Sequence, residues 1–153
     1  LEEPGGVGKR RCTVTASRME DDGSTWLEAA HDGYAPFGVV CGRRYYLAKN
    51  GGLKGEDTLS WQGTKKPAGH PFAVRFHLHP DVQASLVRDG EAVLLRLGKG
   101  MGLTFHAGGA ALSLEESVYM GQGEIRRSEQ IVLSGILSTD GAVIKWAFVP
   151  VDG

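Results

Sequence analysis

The chain reads as all-β: an antiparallel β-sandwich of roughly ten or more short strands with little or no helix. Three observations predict this. Apolar and polar residues alternate with period two through most of the chain, and the 3.6-residue period of an amphipathic helix is almost absent. Glycine is abundant, at 23 of 153 residues, roughly twice its usual ~7% share. The glycines separate apolar runs at spacings of about 8–12 residues, where a turn needs a permissive backbone.

The elements follow in order. Cys12, Val14 and Ala16 alternate with Thr13, Thr15 and Ser17, and Asp21-Asp22-Gly23-Ser24 turns the chain into a strand at Thr25–Glu28. Phe37 to Lys49 reads as one long strand, with Val39, Cys41, Arg43 and Tyr45 on one face and Val40, Arg44 and Tyr46 on the other. Asn50-Gly51-Gly52 turns into a strand from Leu53 to Trp61, and Gly63–His70 is a polar loop carrying Lys65, Lys66 and Pro67. Phe72, Val74, Phe76 and Leu78 form an apolar face that ends at Pro80. Pro80–Leu86 is the one stretch that could hold a helical turn. A hairpin at Arg88–Glu91 joins Ser85–Val87 to Ala92–Leu95, and strands follow at Leu103–His106, Ala111–Tyr119, Arg126–Leu137 and Val143–Val149. No repeat or linker divides this sequence, so a single domain over 1–153 is expected.

Net charge is −1, which supplies no basic field for nucleic acid or an anionic membrane. The basic groups Lys9-Arg10-Arg11, Arg43-Arg44, Lys65-Lys66 and Arg126-Arg127 are accompanied by acids and read as solvated faces. No apolar run approaches the ~20 residues of a membrane span. No signal peptide is visible at Leu1-Glu2-Glu3-Pro4, and a start without Met is expected of an excised or processed product. Cys12 and Cys41 form neither a disulfide framework nor a metal spacing and are expected to be free thiols.

Two histidine clusters could carry chemistry. Period two puts Arg75, His77 and His79 on the face opposite Phe76, and imidazoles at i and i+2 could chelate one metal ion. A third ligand is not assured, so no metal is assigned, with His77 and His79 as the candidates. In His31-Asp32-Gly33-Tyr34, Asp32 could orient the His31 ring and Tyr34 could donate to a substrate oxygen, although Asp-Gly is also turn chemistry. Glu56-Asp57 and Glu115-Glu116 put neighbours on opposite sheet faces, so neither is a carboxylate dyad. No nucleophile elbow, phosphate loop or zinc-protease helix motif occurs. The aromatic residues, Trp26, Trp61, Trp146, Tyr34, Tyr45, Tyr46 and Tyr119, could stack on sugar rings where exposed and otherwise pack the sheets.

These segments, in order, resemble one family. His31-Asp32-Gly33-Tyr34, Phe37-Gly38, Arg43-Arg44 and Gly55-Glu56-Asp57 are similar to the C-terminal sheet region of heparinase II/III-like polysaccharide lyases. So are Arg75-Phe76-His77-Leu78-His79-Pro80-Asp81-Val82, Leu114–Tyr119 and Gln130-Ile131-Val132-Leu133. The resemblance covers about Cys12 to Phe148. It implies a parent with an N-terminal α/α helical domain that cleaves acidic polysaccharide by β-elimination, and it points to a periplasmic or secreted location for that parent. A base removes the proton α to a uronate carboxyl while an acid assists the leaving glycosidic oxygen. Some relatives hold a structural metal in the sheet region; no cofactor is expected for this chain. Because the helical domain is absent from this sequence, no catalytic residue is carried over and the chain alone is expected to be inactive. Substrate contact is expected at His31, Asp32, Tyr34, Arg75 and His77. Two departures stand out: Ala30 where relatives often have Ser, and Cys41-Gly42 where many have His-Arg. A stand-alone carbohydrate-binding or protein-interaction module is the alternative expectation.

Overall fold

The computed structural model describes residues 12–49, 51–64, 69–121 and 123–151. The Lys9–Arg11 run, Asn50, the Lys65–Pro67 loop and Gln122 lie outside the described residues. Strands are β1 (Val14–Asp21), β2 (Ser24–His31), β3 (Val39–Leu47), β4 (Leu53–Trp61), β5 (His70–His77) and β6 (Gln83–Val87), followed by β7 (Ala92–Arg96), β8 (Gly102–Gly108), β9 (Ala111–Gly121), β10 (Glu124–Leu137) and β11 (Ala142–Pro150). The all-β expectation holds, and the only helical pieces are single 3-10 turns at 35–37, 88–90 and 98–100 among the described residues.

Two local readings are corrected. The strand expected from Phe37 begins at Val39, because the amides of Phe37 and Gly38 close a 3-10 turn onto Tyr34 and Ala35, each at 2.9 Å. No helical turn forms in Pro80–Leu86. The Val82 amide closes a tight turn onto His79 at 2.9 Å, and Gln83–Val87 satisfies its backbone against β7 instead.

The strands form two antiparallel sheets. Sheet 1 has eight strands, in the order β1-β2-β3-β4-β11-β8-β7-β6, and sheet 2 has three, in the order β5-β10-β9. The chain leaves sheet 1 after β4, returns at β6, leaves again after β8, and comes back with β11 between β4 and β8. The core lies between the sheets. Val39, Val93, Phe105 and Ile144 of sheet 1 and Ile131, Leu133 and Leu137 of β10 are fully buried. Phe76, Phe105, Trp146 and Phe148 form an aromatic cluster with ring centroids 4.8–5.8 Å apart. Large rings facing a flat sheet need a missing side chain opposite them. A Cβ on Gly55 would collide with the Trp146 ring, and one on Gly135 would stand 2.7 Å from Phe72. Each glycine is paired in register with the aromatic residue it admits.

Candidate functional site between the sheets

Sheet 2 is narrower than sheet 1. With β5 at its edge, the inner face of β1–β3 overhangs and leaves an open cleft. Register brings Val14, His31, Cys41 and Leu59 into one inward row, and Ala16, Ala29, Arg43 and Asp57 into the next. These rows, apart from Ala16, line a cavity of about 530 Å³ together with Tyr34 and the β5 residues Phe72–Arg75. A second hollow, lined by Tyr34, Phe37, His70–Ala73 and Arg75, adjoins it.

The expected site residues divide. His31, Tyr34 and Arg75 line the cleft. The His31 and Tyr34 rings lie 5.8 Å apart, and Arg75 Nη1 lies 3.3 Å from Glu115 Oε2 on the far side of sheet 2. Asp32 does not orient His31. Its Oδ1 accepts the Thr13 amide at 2.7 Å, while His31 Nδ1 accepts the Gly33 amide at 3.2 Å. The carboxylate is drawn to the nearer unpaired amide at the start of β1, so it acts as turn chemistry. His77 projects from the outer face of sheet 2, with Nδ1 2.9 Å from Ser117 Oγ. The Asp81 amide donates to His79 Nδ1 at 3.2 Å, and the His79 ring packs edge-on against Tyr119 at 4.9 Å. The two imidazoles therefore have separate partners, and no group of three or more His, Cys, Asp and Glu side chains converges among the described residues.

At the floor of the cleft stands a constellation that the sequence reading passed over. Asp57, only 7% exposed, accepts from Arg43 through Nε and, at 3.0 Å, through Nη2. It also accepts the Trp146 indole N–H at 2.8 Å. Arg43 donates to Tyr45 at 3.4 Å, and its guanidinium lies 5.7–5.9 Å from the Tyr45, Phe76 and Trp146 rings. Burial works against the Arg43 charge, but the hydrogen bonds to Asp57 and Tyr45 outweigh it and raise the pKa. The signal was available: an arginine in the otherwise uncharged row Val39, Cys41, Tyr45 requires a buried partner.

Cys12 and Cys41 are both free thiols. Burial pushes Cys41 from 9.0 up to about 11, with Asp57 adding in the same direction. The thiolate is the reactive form, so at pH 8 iodoacetamide should label exposed Cys12 and spare Cys41. Labelling of Cys41 should rise as pH approaches 11, and the stability contributed by its protonated thiol should fade over the same window. Peptide mapping checks this, and equal labelling of both thiols at pH 8 would refute the burial of Cys41.

The model of the family described as "Heparinase II/III-like, C-terminal" matches residues 1–147. The chain belongs to that family. Among curated proteins, FtsZ-localized protein C of Caulobacter vibrioides (strain NA1000 / CB15N) is 36% identical over 148 residues, covering 92% of this chain and 26% of that protein. Among solved structures, heparan sulfate lyase HepC from Pedobacter heparinus superposes with a TM-score of 0.74 at 13% identity, covering 92% of this chain and 24% of the enzyme. A heparinase III superposes at 0.68 and 13% identity, with coverages of 90% and 21%. The likeness to these enzymes is one of fold. This heparinase II/III-like chain spans about a quarter of the length of the curated relative it matches.

Proposed function

We propose that this chain is the non-catalytic β-sandwich of a heparinase II/III-like polysaccharide lyase, and that its inter-sheet cleft holds a segment of uronate-containing polysaccharide. The observation carrying this reading is the cleft itself, whose lining includes His31, Tyr34 and Arg75, with a second hollow adjoining it. The Gly33 amide on Nδ1 selects the Nε2–H tautomer of neutral His31, which is a donor and not a base. Tyr34 adds a further donor suited to sugar hydroxyls, and Arg75, whose guanidinium is shared with Glu115, adds donors suited to a carboxylate. Proton abstraction then falls to the helical domain of the parent, with which the sandwich would form the cleft's second wall. A periplasmic or secreted location for the parent goes with this reading. No helix among the described residues is long and apolar enough to cross a membrane.

The 36% identity with FtsZ-localized protein C favours a second reading, a protein-interaction sandwich. One titration separates the two. Mixed with heparin, heparan sulfate or alginate, the chain should generate no unsaturated-uronate absorbance. It should bind a heparan sulfate tetrasaccharide, and Tyr34→Ala or Arg75→Ala should weaken that binding about tenfold, equivalent to roughly 1.4 kcal/mol. Product formation would overturn the non-catalytic assignment. Binding that is absent, or unaffected by both substitutions, would overturn the cleft reading in favour of the protein-interaction one.

A further inference from the structure

The opposite face of sheet 1 carries a second surface, separated from the cleft by the thickness of the sheet. Register aligns Trp26, Tyr46, Lys54, Ala147 and His106 in one outward row across β2, β3, β4, β11 and β8. The adjacent row is Glu28, Arg44, Glu56 and Lys145, about 7 Å away, two residues along each strand. All of these except Glu28, which pairs with Arg44 beside it, line a trough of about 520 Å³. At one end Trp26, 47% exposed, packs on Tyr46 with ring centroids 4.3 Å apart, and the methyl of Ala147 leaves the middle low. Along the side, charges alternate in sign. Arg44 lies 3.1 Å from Glu28 and 3.9 Å from Glu56, and Lys145 lies 3.8 Å from Glu56.

The chemistry of this trough selects its occupant. β3, β4 and β11 have partners on both sides, so their backbone groups are spent and an extended peptide cannot add to the sheet here. Lys54 adds a cation in the neighbouring row, but Glu28 and Glu56 separate Arg44 from Lys145 and pair with them, so no uninterrupted positive run is offered to a phosphate backbone. What it offers is a line of acceptors and donors at side-chain spacing beside exposed aromatic faces. That combination matches a pyranose, whose C–H face stacks on a ring while its hydroxyls both donate and accept. We propose that this trough is a binding surface for a neutral, hydroxyl-rich pyranose chain. Trp26, flanked by the tilted Tyr46 ring, is its stacking face, and Arg44, Lys54, Glu56 and Lys145 bond the hydroxyls. The proposal is independent of the cleft reading.

Cellohexaose and chitohexaose, titrated into the 153-residue chain, are the probes, read by tryptophan fluorescence and by indole N–H shifts in NMR spectra. At least one of them should shift the Trp26 signal saturably. Trp26→Thr, acceptable in an exposed strand position, should weaken binding at least tenfold, and Lys145→Ala several-fold. Tyr34→Ala, in the cleft, should leave this binding unchanged, just as Trp26→Thr should leave tetrasaccharide binding to the cleft unchanged. No saturable shift with either hexasaccharide at millimolar concentration would overturn the proposal, as would binding that survives Trp26→Thr. Concentration-dependent self-association abolished by Trp26→Thr would instead assign the face to a second copy of the chain.

Discussion

Replacing Asp57 by Ala should lower the unfolding free energy by about 3 kcal/mol, as expected when one partner of a buried ion pair is removed. The carboxylate satisfies two nitrogens of Arg43 and the Trp146 indole, so its loss strands a cation and a donor together among aromatic rings. The Arg43 side chain is one-third exposed, at 33%, and solvent reaching it holds the cost to the lower end of the ~3–5 kcal/mol range. Asp57→Asn, which keeps an acceptor for Trp146 but loses the charge, should fall between Ala and the native residue. The pair Arg43→Met with Asp57→Leu should recover only part of the loss, because apolar replacement removes both charges' desolvation costs but leaves the buried Trp146 indole N–H without its acceptor. Urea denaturation with an unchanged m-value measures each. An Asp57→Ala variant within about 0.5 kcal/mol of the native chain, the range of an ordinary surface substitution, would show that the pair contributes little.

Phe76→Ala should cost about 3 kcal/mol, while His77→Ala and His79→Ala should each cost less than about 1 kcal/mol. Phe76 lies on the inner face of β5 with its ring 4.9 Å from Trp146 and 5.2 Å from Phe105. Its partial exposure sets the value at the low end for a Phe deletion. His77 and His79 stand exposed on the other side, with one hydrogen-bond partner each. A thermal-melt series on the three variants checks the order. Histidine variants that melt as early as Phe76→Ala would mean that β5 presents its other face to the core.

Periodicity carried most of the local structure, because a strand with one buried face must alternate. The Asp21–Ser24 and Arg88–Glu91 turns were legible for the same local reason. Which strands pair was not. Nothing near His70–His77 announces that this segment crosses to the second sheet, since an apolar inner face such as Phe72, Val74 and Phe76 suits either sheet. The site was legible in part. His31 and Tyr34 were visible at a strand end and Arg75 on a polar strand face, and of the two readings open for Asp32, ring partner or turn chemistry, the Thr13 amide decides for the turn. Glu56-Asp57 presented two equal carboxylates, and only the register that sets Asp57 opposite Arg43 turns one of them inward. The outer trough was hidden for a related reason. Trp26 and Trp146 are the same residue type, and pairing alone decides that one is exposed and the other buried.

The position of β11 has a kinetic consequence. Within sheet 1 the β1–β4 ladder and the β6–β8 ladder meet only through this strand, the last of the eleven to leave the ribosome. Until Ala142–Pro150 is available, the two ladders are separate meanders with unpaired edges at β4 and β8, and the aromatic cluster lacks Trp146 and Phe148. Closing the sheet requires β11 to find β4, more than eighty residues earlier, so contact order is high and folding belongs to the slow, millisecond-to-second class of β-sandwiches. During that interval the exposed edges are the places where a nascent chain would pair with a neighbour.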